Sequence, residues 1–122
     1  MDINYSFYIR VDENGERKPI MVFFPSQYEM LSHLGELEFS NSINVSNLLD
    51  QFKKTVVDKL TYSFSSDDWC IVTINGDTAK VENGFGEFES FELSTEFIYK
   101  LMNDWRNFLI KYETNQIPGF TR

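Results

Sequence analysis

The chemistry open to this chain rests on one histidine, one cysteine and nineteen carboxylates. A Cys–His nucleophile pair would have to join Cys70 to His33. Cys70 falls on the strand face shared with Val72 and Ile74, which predicts a buried thiol. A reactive thiolate needs an exposed, electropositive setting, and this region is acidic. Zinc takes three or four Cys, His or carboxylate ligands, and a lone Cys with a lone His does not make the usual set. Asp67, Asp68 and Asp77 offer oxygens to calcium, but no Asp-x-Asp-x-Asp-Gly loop with a distal Glu is present. Glu87 and Glu89 stand two apart on an expected strand and so share a face. Paired carboxylates can run glycoside chemistry, but such neighbours are more often solvated edge residues. Gly84-Phe85-Gly86 has the glycines of a phosphate loop without its lysine, and a strand rather than a helix is expected after it. The expectation is therefore a protein that is not an enzyme and carries no cofactor or metal.

The carboxylates are unevenly placed. Between Asp67 and Glu96 there are eight acids and one base, Lys80, for a net charge of −7; the whole chain sums to −8. Such a field repels nucleic acid and anionic membranes and attracts basic partners. The basic pairs Arg17-Lys18 and Lys53-Lys54 are too few for a nucleic-acid footprint. Aromatic residues are interleaved with the acids at Trp69, Phe85, Phe88 and Phe91, and interfaces combine aromatic anchors with complementary charge.

The elements that must position these residues follow from periodicity. The chain has 122 residues, 42% of them hydrophobic, which predicts one domain over 1–122 with an aromatic core. Tyr5, Phe7, Ile9 and Val11 alternate with polar neighbours, a strand that pairs through Asn14-Gly15 with Pro19–Phe24. Residues 26–44 admit either a helical turn through Tyr28, Leu31, Leu34 and Leu37 or a strand at Leu37-Glu38-Phe39. Ser46 reads as the cap of a helix over 47–60 with Leu48, Leu49, Phe52, Val56 and Leu60 inward. A polar loop is expected over 62–68. Strands follow at Trp69–Ile74, Thr78–Glu82 and Glu87–Leu93, turned by Asn75-Gly76 and Asn83-Gly84. Ser94 or Thr95 caps a last helix whose stripe runs from Phe97 to Tyr112. Pro118-Gly119 closes the fold, and residues 115–122 are expected to form a mobile tail. The predicted class is α+β: an antiparallel sheet of about five strands, in ββ-α-βββ-α order, with two amphipathic helices on one face.

The N-terminal Met1-Asp2-Ile3-Asn4 lacks the features of a signal peptide, and no apolar run approaches the ~20 residues that span a bilayer. A cytoplasmic protein is the expectation.

The stretch FELSTEFIYKLMNDWRNFLIKYE, Phe91 to Glu113, resembles the closing strand and helix of small bacterial immunity proteins, which are encoded beside polymorphic or contact-dependent toxins. The likeness lies in Leu-Ser-Thr before the helix, the tryptophan in its second half and the Lys-Tyr-Glu ending. It implies a stoichiometric inhibitor of a toxin's effector domain, often a nuclease with a basic, phosphate-binding site that carboxylates can occupy in place of the nucleic-acid backbone. The expected partner is thus a basic toxin domain, met through Asp67, Asp68, Trp69, Asp77, Glu82, Glu87 and Glu89. The acids would steer and pair, and Trp69 would anchor. The alternative is a non-catalytic structural or regulatory module, such as a homodimer joined edge to edge.

Overall fold

The computed structural model describes residues 3–117. Strands β1 (Asn4–Val11) and β2 (Arg17–Phe24) form an antiparallel hairpin, turned where the Asp12 carboxylate accepts from the amides of Asn14 and Glu16 and Gly15 takes a positive φ. Period-two alternation puts Tyr5 and Phe7 on the inner side opposite Phe23 and Met21.

The ambiguous segment resolves into two 3₁₀ helices, Ser26–Gly35 and Leu37–Ser40. Its apolar residues recur every three positions, and three is the 3₁₀ repeat. Tyr28, Leu31 and Leu34 are buried, while Leu37 faces solvent. The strand alternative at Leu37-Glu38-Phe39 is not adopted.

Helix α1 spans Ser42–Asp58 and begins earlier than expected. Its cap is Asn41, whose side chain accepts from the Asn44 amide, and Ser46 lies within the helix. Leu48, Leu49 and Phe52 are buried as expected. Val56 and Leu60 are exposed instead: Val56 lies within the last turn of the helix, and Leu60 lies beyond its end at Asp58, after Lys59 turns left-handed.

Four strands then form a second antiparallel sheet: β3 (Thr61–Ser65), β4 (Ile71–Asn75), β5 (Thr78–Glu82) and β6 (Phe91–Ser94). The class is α+β as predicted, but the described residues hold six strands in two sheets rather than about five in one. β3 occupies most of the expected loop. Trp69 precedes β4 instead of starting it, and β6 begins at Phe91 rather than Glu87. Register decides the faces. Phe64, Val72, Val81 and Phe91 make one inward row; Tyr62, Ile74, Ala79 and Leu93 make the next. The outer face carries Ser63, Thr73, Lys80 and Glu92 in a matching row.

Helix α2 (Thr95–Glu113) ties the layers together. Trp105, fully buried, receives Phe7 edge-on and donates its indole N–H to the Phe39 carbonyl at 2.8 Å. Gly35 packs so close that a Cβ there would stand 2.9 Å from the indole. Ser94 caps the helix by accepting from the Phe97 amide, and Thr95 donates its hydroxyl to the Gly76 carbonyl at 2.6 Å. At the far end, the Glu113 carboxylate accepts from the amide and hydroxyl of Ser42, which fastens α2 to the start of α1. Both helices contact each other and the second sheet. One cluster of buried side chains includes residues of both sheets, both helices and the 3₁₀ segment. Thr114, Asn115 and Gln116 bond back to the last turn of α2. Pro118-Gly119 and the end of the expected tail lie outside the described residues. No helix among the described residues is long and apolar enough to cross a membrane.

Candidate functional site

Two loops meet at one end of the second sheet: residues 66–70, leading into β4, and residues 83–90, between β5 and β6. Asn83 organises the second. It is buried, donates to the Trp69 carbonyl at 3.0 Å, and accepts from the amides of Phe85 and Glu87 at 3.0 and 3.1 Å. Gly84 donates its amide to the Asp68 carbonyl at 2.6 Å. A Cβ at Gly84 would stand 2.7 Å from that oxygen, so glycine is required there by close approach. The expected Asn83-Gly84 turn takes its positive φ at Gly86 instead.

Trp69 lies at the centre. Its amide is accepted by the Asp67 carboxylate at 2.8 Å, and its indole is half-buried. On one side it stacks on His33, with ring centroids 5.5 Å apart and planes inclined by 17°. It also meets Phe85 edge-on at 5.2 Å and Phe88 at 6.1 Å. Those two rings, not Trp69, face solvent: Phe85 is 55% and Phe88 57% exposed. Trp69, the expected anchor, is half-buried and packs against these two outward phenylalanines.

Asp67, Asp68, Trp69, Glu87 and Glu89 thus belong to one loop cluster, with Glu82 at its margin. Glu82 points to the outer face of the sheet and lies 3.8 Å from Lys80. Asp77 does not join them. It sits in the turn at the other end of β4 and β5, a five-residue strand away, about 13 Å. There it lines an apolar groove of about 530 Å³ with Phe52, Val56, Val57, Glu96 and Tyr99. A more polar groove of about 620 Å³ runs between α1 and β3, past Asn44, Asn47, Gln51 and Tyr62.

Cys70 is fully buried, and burial, with the nearby Asp67 charge second, pushes its thiol up to about 12. It stays protonated at neutral pH and offers no thiolate to His33. His33 has a different company: its Nδ1 lies 3.2 Å from Glu36 Oε2, and one donor atom each from His33, Glu36 and Asp67 fall within 4.8 Å of one another. Sequence reasoning missed this cluster because its members come from segments 31 residues apart (Glu36 to Asp67) and no metal-ligand spacing joins them.

No family model, no curated protein and no solved structure matches this chain.

Proposed function

We propose that this chain is a non-catalytic inhibitor of the immunity type, which captures a basic toxin domain, such as a nuclease, through the end of the second sheet. One observation carries the reading: two solvent-facing phenylalanines stand on a fixed Trp69–His33 platform, and the chain around them is rich in carboxylates. Burying the exposed halves of Phe85 and Phe88 in a partner would contribute about 1–1.5 kcal/mol each. Asp67, Asp68, Glu82, Glu87 and Glu89 would speed encounter with a positive surface by ~10–10³ at low salt. Asp77, at the opposite end of the strands, is left out of this surface. The Phe91–Glu113 likeness to immunity proteins supports the same reading.

The test is co-expression with a basic toxin nuclease domain as the candidate target, followed by binding kinetics with purified proteins. Growth rescue and one-to-one binding are expected. Phe85→Ala with Phe88→Ala should hasten dissociation, whereas Glu87→Gln with Glu89→Gln should slow association and flatten its salt dependence. Wild-type kinetics in both variants would remove this surface from the mechanism.

The second reading, a homodimer, draws on the outer strands of the four-stranded sheet, β3 and β6, each of which pairs on one side only among the described residues, since an edge strand is a template for another chain. Sedimentation equilibrium separates the two: a stable dimer that fails to bind the effector domain favours this alternative.

A further inference from the structure

We infer that His33, Glu36 and Asp67 form a binding site for a borderline divalent transition-metal ion, of which Zn²⁺ is the representative. The site shares Asp67 and the His33–Trp69 stack with the proposed docking surface, but ion binding is read on the free protein and its outcome does not depend on a toxin.

The donors are one imidazole nitrogen and two carboxylate oxygens, all within 4.8 Å of one another. Ligands ~2.0–2.2 Å from a tetrahedral ion are separated by roughly 3.3–3.6 Å. His33 and Glu36 already stand at 3.2 Å, so closing the set asks for small rotations of partly exposed side chains.

The backbone that carries the donors is cross-braced. The Ser66 hydroxyl donates to the Glu36 carbonyl at 2.6 Å, which ties the Asp67 loop to the 3₁₀ segment. The Glu36 amide donates to the His33 carbonyl at 3.2 Å. Asp67 holds the Trp69 amide with Oδ1, which leaves its second oxygen for an ion. The His33 ring is held flat by the Trp69 indole. Bonds of this kind orient metal ligands in advance of binding.

Charge points the same way. Among the described residues, neither Glu36 nor Asp67 forms an ion pair with a lysine or arginine. Two carboxylates that converge beside a single imidazole make a favourable place for a dication. A mixed nitrogen–oxygen set suits Zn²⁺, Co²⁺, Ni²⁺ or Cu²⁺, whereas Ca²⁺ and Mg²⁺ prefer oxygen alone. Three protein ligands leave coordination positions for water, and the partial exposure of the side chains gives the ion a way in. A bound ion would clamp the Asp67 loop to the 3₁₀ segment directly beside Trp69.

Trp69 supplies the readout. Co²⁺ titrated into the purified protein should quench its fluorescence in a saturable, one-to-one manner. Trp69→Phe should weaken that signal, because the Trp69 indole stacks directly on the His33 ring. Equimolar Zn²⁺ should compete, and tenfold Mg²⁺ or Ca²⁺ should not. Calorimetry with Zn²⁺ reads the variants. His33→Phe keeps a ring against Trp69 without its nitrogens, and Asp67→Asn can still accept the Trp69 amide. Each should weaken Zn²⁺ binding by about tenfold or more, while Asp77→Asn with Glu96→Gln, at the other end of the sheet, should not. Non-saturating quenching, equal competition by Ca²⁺, or unchanged Zn²⁺ affinity in a folded Asp67→Asn would overturn the site.

Discussion

The imidazole of His33 lies almost parallel to the indole of Trp69, and this stack joins the 3₁₀ segment to the acidic loop cluster. Through Trp69 it supports Phe85 and Phe88, the two exposed rings of the 83–90 loop. The acids around them are borne on a loop whose shape depends on Asn83 and Gly84.

Gly84→Ala should therefore destabilise the protein although the residue is exposed. Its Cβ would meet the Asp68 backbone oxygen at 2.7 Å, and a backbone atom does not move aside cheaply. Overpacking of this kind costs ~1–3 kcal/mol, readable as a lower urea midpoint. An unchanged midpoint would show that the two loops are not braced by this contact.

Trp105→Phe should also destabilise, by ~1–3 kcal/mol, since it removes the N–H that satisfies the Phe39 carbonyl. Thermal unfolding checks this. Gly35→Ala should be damaging for the same local reason, because Cβ would press on the indole ring.

The Tyr5–Asp104–Lys100 cluster should leave a mark on the pH dependence of stability. Tyr5 donates to Asp104 at 2.6 Å, and Lys100 donates to both. Burial pushes the Asp104 carboxyl up, but the bonds from Lys100 and Tyr5, together with the lysine charge, outweigh it and hold the group below the usual aspartate range. A carboxylate lowered in the folded state stabilises above its unfolded pKa of ~3.9, and that stability is lost as pH falls through the folded value. Burial first, and then the bond to Asp104, raises the Tyr5 hydroxyl. Its contribution is present below pH ~10 and lost as pH rises through the folded value. Asp104→Asn should flatten the acid limb and Tyr5→Phe the alkaline limb of urea stability, each by under about 1 kcal/mol because the groups are partly solvated.

Cys70 should resist thiol reagents in the native protein at pH 8 and react fully in denaturant, because its thiol is buried and its pKa lies near 12. Fast labelling of the folded protein would show that the loop before β4 opens.

Much of this architecture was legible residue by residue. Alternation marked β1, an apolar, β-prone run marked β2, and Asn75-Gly76 marked the β4–β5 hairpin; of the expected α2 stripe from Phe97 to Tyr112, Ile98, Leu101, Met102, Trp105 and Leu109 are buried and Phe97, Phe108 and Tyr112 half-buried. The β3 signal was present too, with Tyr62 and Phe64 alternating against Thr61, Ser63 and Ser65, but its many hydroxyls read as a loop. The start of α1 was hidden because Asn41 and Ser46 are both competent caps, and only Asn41 could be chosen once Ser42 met Glu113.

The sequence by itself determined the α+β class, the order of most elements and the concentration of negative charge, because these depend on local hydrogen bonding, side-chain period and composition. Only the tertiary structure decided that Asp77 stands apart from Asp67 and Asp68, that Phe85 and Phe88 rather than Trp69 face outward, and that His33 meets Glu36 and Asp67. Those relationships come from packing between segments distant in the chain, where burial and steric fit, not spacing, choose the neighbours.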